Sequence, residues 1–450
     1  MAQCFAWCSS SLRTAAQSAK LSDPREITSY YAQPTRNYAI SGGDRDGRRK
    51  ARDFLSLVLL RLRLPRLARY ELRKFLGLLM DPNQVLKPSV ERLAMSLPSS
   101  AGLIPVGEVQ ASNESPVTCV CFGQDRAYRT YVLLATAMKS GYVMTFRCYH
   151  TELEMRMLPH FLPTKETPWP PALPDVQLHS RLDGHEHAVT SMTFHVGEDQ
   201  LLTTSIDRTL RIWHVDSGSL LKTFSDSSPV TTALYLPLNP AVCVVANSDR
   251  ILRLVNVSAC EVVHKLLMLS EVRALTFDDT GCFLFAGTSD GDVLVLEATG
   301  QPSLRICFTE KLSARPISCI TFVQAAHGFA PRLLLSSADS SVRTIDINYD
   351  SGPISLSVRH CNEVAHTLLP LKSCYSNSGG GFLISASEDA GVYIYSMSGH
   401  KRHRVNDDDD RQMILREHHC PVVAVAVNKL DTLIASADSL GRVLLWRRVV

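Results

Sequence analysis

Leu201-Leu-Thr-Thr-Ser-Ile-Asp-Arg-Thr-Leu-Arg-Ile-Trp213 reads as an alternating strand, a tight turn carrying Asp207, and a second alternating strand that ends on an aromatic ring. The phrase returns in worn form at Val245–Val255, Ala286–Leu296, Ser336–Ile345, Ser385–Tyr395 and Ala435–Trp446. Short apolar stretches precede the copies, as at Val189–Phe194, Val272–Phe277, Ile317–Phe322 and Val422–Val427. A unit of three strands repeated about every 40–55 residues is the pattern of a β-propeller blade. The fold expected is therefore all-β, a seven-bladed propeller, with a partly helical N-terminal extension.

Working outward, the inner strands of the seven blades are expected to begin at Val117, Val189, Val230, Val272, Ile317, about His366, and Val422. The propeller then occupies residues 103–450. The last copy is followed by no further strand pattern, and a bare strand edge invites unwanted pairing. The stretch Leu103-Ile-Pro-Val-Gly-Glu-Val109 precedes the first blade and can cover that edge, so residues 103–110 are expected to close the ring. Residues 149–183 read as a proline-rich insertion, because prolines such as Pro163, Pro170, Pro171 and Pro174 remove backbone donors. Residues 400–412 carry Asp407–Asp410 and read as a solvated acidic loop.

The charge is divided along the chain. Residues 1–100 hold 17 Lys and Arg against 8 Asp and Glu, whereas the remainder is mildly acidic. Residues 1–47 show no periodicity and read as a flexible arm. Residues 48–95 read as a basic helical segment broken at Pro65, with Phe54, Leu55, Val58 and Leu62 near helical spacing. A basic arm of this kind, above all residues 48–74, suits an acidic partner, nucleic acid or an anionic membrane surface. Thirteen cysteines lie scattered through strand patterns, which suits buried thiols in a reducing compartment. No secretory signal is legible and no apolar run reaches the ~20 residues that span a bilayer, so an intracellular protein is expected.

Motifs for chemistry are missing. The sequence has no phosphate-cradling Gly-rich loop ending in Lys and Ser or Thr, no His-Glu-x-x-His and no paired Cys-x-x-Cys. Cys119 and Cys121 alternate within a strand pattern, and His418-His419-Cys420 lies between strands. No enzyme activity, cofactor, metal or small-molecule substrate is expected.

Two blades carry a fuller polar set: His185, Ser205, Asp207 and Trp213, then His418, Ser436, Asp438 and Trp446. Ser, His and Asp together suggest a hydrolase triad, but a nucleophile needs exposure and an oxyanion hole, and a Ser inside an alternating strand has neither. The same residues, with Gly184 before His185 and turn residues Asp249, Asp290, Asp339 and Asp389, resemble the WD-repeat family over residues 103–450. The turn Met138-Lys-Ser-Gly141 departs from that pattern by lacking the Asp. The resemblance implies a hydrogen-bond chain in which Trp donates, Ser relays and His binds Asp. It also implies a non-catalytic scaffold for protein or peptide partners in a nuclear multiprotein complex, with the cytoplasm as the alternative. Arg208, Arg250 and Arg442, beside the turns, are the expected contacts for acidic groups of a partner.

Overall fold

Short β-branched and aliphatic runs separated by Asp- and Gly-bearing turns cannot bury themselves singly; they do so here as small antiparallel sheets stacked around a ring. In the computed structural model the described residues are 103–111, 115–126, 129–157, 175–299, 303–323, 331–349, 354–376, 381–396 and 412–448. They form seven four-stranded sheets. The arm expected at 1–47, the basic segment expected at 48–95 and nearly all of the acidic loop expected at 400–412 lie outside the described residues.

Blade one comprises Val117–Phe122, Tyr131–Met138, Val143–Tyr149 and Val176–Leu182. Blade two runs from Val189–Phe194 to Leu220–Ser225, blade three from Val230–Leu236 to Glu261–Leu267, and blade four from Val272–Phe277 to Ser303–Lys311. Blade five runs from Ile317–Val323 to Ser355–Glu363 and blade six from Ser373–Ser376 to Gln412–Leu415. Blade seven takes three strands from Val422–Arg448 and its outer strand from Leu103–Gln110, which pairs with Arg442–Arg448 from Gln110↔Arg442 to Leu103↔Arg448.

Two boundaries differ from those read in the sequence. The span 149–183 is not one insertion, because it holds a short helix, Glu152–Met157, and the outer strand of blade one, Val176–Leu182. That strand pairs with Val143–Tyr149 from Val143↔Leu182 to Cys148↔Val176 and completes blade one before blade two begins. In blade six the inner strand starts at Ser373, not near His366. His366 lies in the preceding loop with its ring buried, and its Nε2 accepts from the Leu371 amide at 3.4 Å.

The burial gradient across each sheet explains its sequence. Second strands such as Arg332–Ser337 and Leu433–Asp438 are buried on both faces, because neighbouring blades sandwich them. Outer strands are far more exposed, and Glu261–Leu267 alternates between half-buried and exposed residues because one face meets solvent. An apolar cluster fills each of the seven junctions between blades; that between seven and one includes Val120, Leu134, Ala435 and Leu445. A buried polar group reinforces the seven–one junction: Asp125 accepts from the Leu430 amide at 2.8 Å and from Asn428 at 3.2 Å. The Glu198 carboxylate of blade two likewise reaches Arg126 and Arg129 of blade one, at 2.9 and 3.2 Å.

A shared bulge shapes the inner strands. The register slips after the first residue in six blades, between Val117 and Cys119, Val189 and Ser191, Val230 and Thr232, Val272 and Ala274, Ile317 and Cys319, and Val422 and Ala424. A bulge leaves one residue out of the ladder and re-aims its side chain. The residues so released are Thr118, Thr190, Thr231, Arg273, Ser318 and Val423.

Candidate functional site: the turn face

The loops entering each inner strand and the turns between second and third strands share one face. Their backbones touch: Asp226 N donates to Arg208 O at 2.9 Å, and Met268 N to Arg250 O at 2.8 Å. The polar sets picked out in the sequence lie just beneath this face.

In blade two, Trp213 Nε1 donates to Thr203 Oγ1 at 2.9 Å, and His185 Nε2 lies 2.8 Å from the same oxygen. His185 Nδ1 is 2.8 Å from Asp207 Oδ2. One assignment satisfies every atom: the hydroxyl of Thr203 donates to Nε2, and Nδ1–H donates to the carboxylate. The relay is thus Thr203 and not Ser205: Trp213 pairs with Leu201, so Thr203 is its diagonal neighbour on that face, whereas Ser205 lies two residues further along the same strand. Ser205 Oγ instead donates to His187 O at 3.0 Å and accepts from the Asp207 amide at 3.1 Å, which fixes the turn. Burial pushes the His185 ring below its ordinary pKa, so it is neutral at pH 7. Burial alone would raise Asp207, but hydrogen bonds from Thr209 and His185 outweigh it and hold the carboxylate below its usual range.

Blade seven builds the same chain with its carboxylate at a different position. Trp446 Nε1 donates to Ser436 Oγ at 2.8 Å, His418 Nε2 lies 2.7 Å from that oxygen, and His418 Nδ1 lies 3.0 Å from Asp438 Oδ2. Asp438 pairs with Val422 in the register, where Ser205 pairs with Val189. It is therefore no counterpart of Asp207; the turn position corresponding to Asp207 is Leu440. Asp438 caps that turn from within the strand, accepting from the amides of Leu440 and Arg442 at 2.9 and 3.0 Å.

Blades three to six keep the turn Asp and change its partner. Asp249 receives the Arg253 guanidinium at 3.1 and 2.5 Å, and Arg253 Nε also reaches Asp226 at 2.9 Å. Asp339 is held by Arg343 at 2.6 Å with hydroxyls of Ser337, Ser341 and Ser313, and its carboxyl sits far below the usual range. Asp389 accepts from the Tyr393 hydroxyl and from Gly391 N at 3.0 Å. Asp290 is exposed, with Ser289 Oγ at 3.3 Å. The sequence reading missed Arg253, Arg343 and Tyr393. Their signal was present, since each stands four residues after its Asp, as Arg211 does after Asp207.

Arg208 and Arg250 occupy the same turn position in blades two and three, both with positive φ, 67° and 63°. That position holds Gly141, Gly291 and Gly441 in blades one, four and seven, and Ser340 and Ala390 in five and six. Both arginines are exposed, and among the described residues neither side chain makes a hydrogen bond or ion pair. Arg442 is different. It stands one residue past Gly441, and its guanidinium binds Glu108 of the closing strand at 2.5 and 3.0 Å and the Glu417 carbonyl at 2.7 Å. Large apolar side chains project from the same face, Leu269 at 89% exposure and Leu368 at 88%.

No grouping of three His, Cys, Asp or Glu with metal-holding geometry exists among the described residues. The eleven cysteines described are free thiols.

The matched family model is the WD domain, G-beta repeat, over residues 176–214. The match begins on the outer strand of blade one and ends on the third strand of blade two, so the repeat in sequence is out of phase with the blade by one strand. Jouberin of Mus musculus is 26% identical over 243 residues, half of this chain and 22% of jouberin. The Retinoblastoma-binding protein 5 homolog of Drosophila melanogaster is 24% identical over 48% of this chain and 45% of its own length. COMPASS component SWD3 of Saccharomyces cerevisiae is 23% identical over 38% of this chain and 55% of its own length. The chain thus spans between about a fifth and about a half of these curated relatives. Among solved structures, the Cps50 (Swd1) β-propeller domain of Myceliophteria thermophila superposes with a TM-score of 0.56 at 18% identity, covering 78% of this chain and all of that one.

Proposed function

We propose that this chain, a WD-repeat β-propeller, is a non-catalytic scaffold that docks peptide segments of protein partners on its turn face. One observation carries the reading. Arg208 and Arg250 hold a left-handed backbone that three other blades give to Gly, at a cost of roughly 1 kcal/mol each. Among the described residues neither side chain makes a contact that offsets that cost, and strain that the fold does not use points to a role outside it. The exposed Leu269 beside Arg250 supplies apolar area, so a segment with both acidic and apolar side chains fits best.

The experiment follows from the strain. Arg208→Gly with Arg250→Gly should leave the melting temperature equal or higher, while co-purifying partners of the full-length protein are lost. Unchanged partners with the double variant would remove the two arginines from the site.

The cell context belongs to the same proposal. We place the scaffold in a nuclear multiprotein complex, with the cytoplasm as the alternative; support comes from relatives whose names describe a COMPASS component and a retinoblastoma-binding protein. Imaging of the tagged full-length chain decides between them. Binding of nucleic acid or an anionic membrane through residues 48–74 rests on sequence charge alone, and predicts an affinity that falls steeply with salt.

A further inference from the structure

Blades two and six are not neighbours in the ring, yet the Lys372 ammonium of blade six donates to the Thr190 carbonyl of blade two at 3.2 Å. The path between them round the ring passes through two other blades in one direction and three in the other, so the side chain crosses the central channel. Its backbone is fixed for the purpose. Lys372 N donates to Val423 O at 2.9 Å, and Lys372 forms a parallel bridge with Ala424 of blade seven. A lysine side chain reaches only about 6 Å, being five bonds of ~1.5 Å. The channel at this level is therefore narrow enough to admit one side chain and too narrow for a nucleic-acid backbone.

Besides the Thr190 carbonyl, the ammonium has the Cys121 thiol of blade one near it, while the inner strands of the other blades carry the bulged residues Thr118, Thr190, Thr231, Arg273, Ser318 and Val423. Three of the hydroxyls are committed to the next blade, Thr190 to Val230 O at 2.9 Å, Thr231 to Val272 O at 2.7 Å and Ser318 to Leu371 O at 2.8 Å. Arg273 turns to Glu271 at 3.2 Å. Arg273 thus has a carboxylate partner already, in Glu271, whereas Lys372 has none among the described residues. Among the described residues Lys372 makes one hydrogen bond, to a neutral acceptor, and no ion pair. An ammonium has three donors, and a carboxylate is the acceptor that forms the stronger, charge-assisted bond.

We propose that Lys372 is the seat for a single carboxylate side chain of a partner peptide, inserted into the channel from the turn face. The seat rests on the turn-face reading above and extends it: Arg208 and Arg250 steer an acidic segment, and Lys372 takes one acidic residue at the axis. The inner strands enter from the turn face, so Lys372 lies at the start of the channel on that side.

The test uses the full-length chain, hexaglutamate peptide and a zero-length carbodiimide cross-linker, with linked lysines mapped by mass spectrometry. Lys372 should be joined to the peptide, hexaglutamine should give no adduct, and Arg208→Glu with Arg250→Glu should lower the Lys372 adduct about tenfold. In fluorescence anisotropy Lys372→Met should weaken hexaglutamate binding about tenfold, and Lys372→Arg should restore it. Adducts at the turn-face residues Lys139 and Lys311 without one at Lys372 would overturn the seat and leave the turn-face reading standing. Adducts without preference for that face, unchanged by the arginine reversals, would overturn both.

Discussion

Asp438 occupies in blade seven the register position that Ser205 occupies in blade two, yet its carboxylate lies 3.0 Å from His418 Nδ1 just as Asp207 lies 2.8 Å from His185 Nδ1. Two different chain positions deliver a carboxylate to the same ring nitrogen. The requirement is set by the histidine: its Nε2 is taken by the hydroxyl that Trp holds, so its buried Nδ1–H needs an acceptor. Any position that reaches it will serve.

Thr203 should therefore matter more than Ser205. Thr203→Val keeps the shape and strands both Trp213 Nε1 and His185 Nε2, at a cost of about 1–3 kcal/mol. Ser205→Ala loses a hydrogen bond to a backbone carbonyl and should cost about 1 kcal/mol. Urea midpoints of the two variants check the order, and equal losses would show that the indole is not held through Thr203.

Coupling along the chain gives a second expectation. Trp213→Phe and Asp207→Ala should each destabilise, and the double variant should lose less than the sum, because both act through His185. Additive losses in a double-mutant cycle would mean independent contacts.

A third concerns pH. Burial pushes Asp278 up to about 6 from 3.8, against hydrogen bonds from Thr280, Phe283 and Cys282. Its folded pKa is raised, so its stability penalty is absent below about pH 4, grows between pH 4 and 6, and is complete above 6. Asn can keep these bonds by accepting from the two amides and donating to the Thr280 hydroxyl. Asp278→Asn should thus be more stable than the parent at pH 7, by no more than about 3 kcal/mol, and equal to it near pH 3.5. Chemical denaturation at the two pH values measures this, and an advantage that persisted in acid would contradict it.

Ring closure gives a fourth. Deleting residues 1–115 removes Leu103–Gln110 and bares the Arg442–Arg448 edge, so the melting temperature should fall by several degrees. Deleting 1–45 should leave it unchanged. Glu108→Gln should cost under 1 kcal/mol, since its pairing with Arg442 is exposed and screened.

The architecture was legible because blade strands have a short period and their turns a repeated Asp. What stayed hidden has identifiable causes. The outer strand Val176–Leu182 was absorbed into a proline-rich stretch, since an outer strand with one wet face has little apolar signal. Blade six begins late because the loop from His366 is held by Glu388, which accepts from the amides of Thr367, Leu368 and Leu369 at 2.9, 2.6 and 2.8 Å. Ser205 was taken for the relay because Thr203 and Ser205 both lie on the Trp213 side of the sheet, and a sequence does not give the strand register that sets Thr203 beside the indole. Arg442 looked like Arg208, but Gly441 takes the turn position and moves it one residue along.

The closing sheet has a consequence for synthesis. Glu108 and Arg442, paired at 2.5 Å, stand 334 residues apart in the chain. A chain emerging from the ribosome at about 5–20 residues per second exposes residues 103–110 tens of seconds or more before their partner strand exists. Blades one to six can assemble during that interval, but the ring cannot lock. The segment 103–110 is then an unpaired strand waiting beside a nascent chain rich in strand edges, and shielding it until the last blade arrives is a task for the cell's folding machinery.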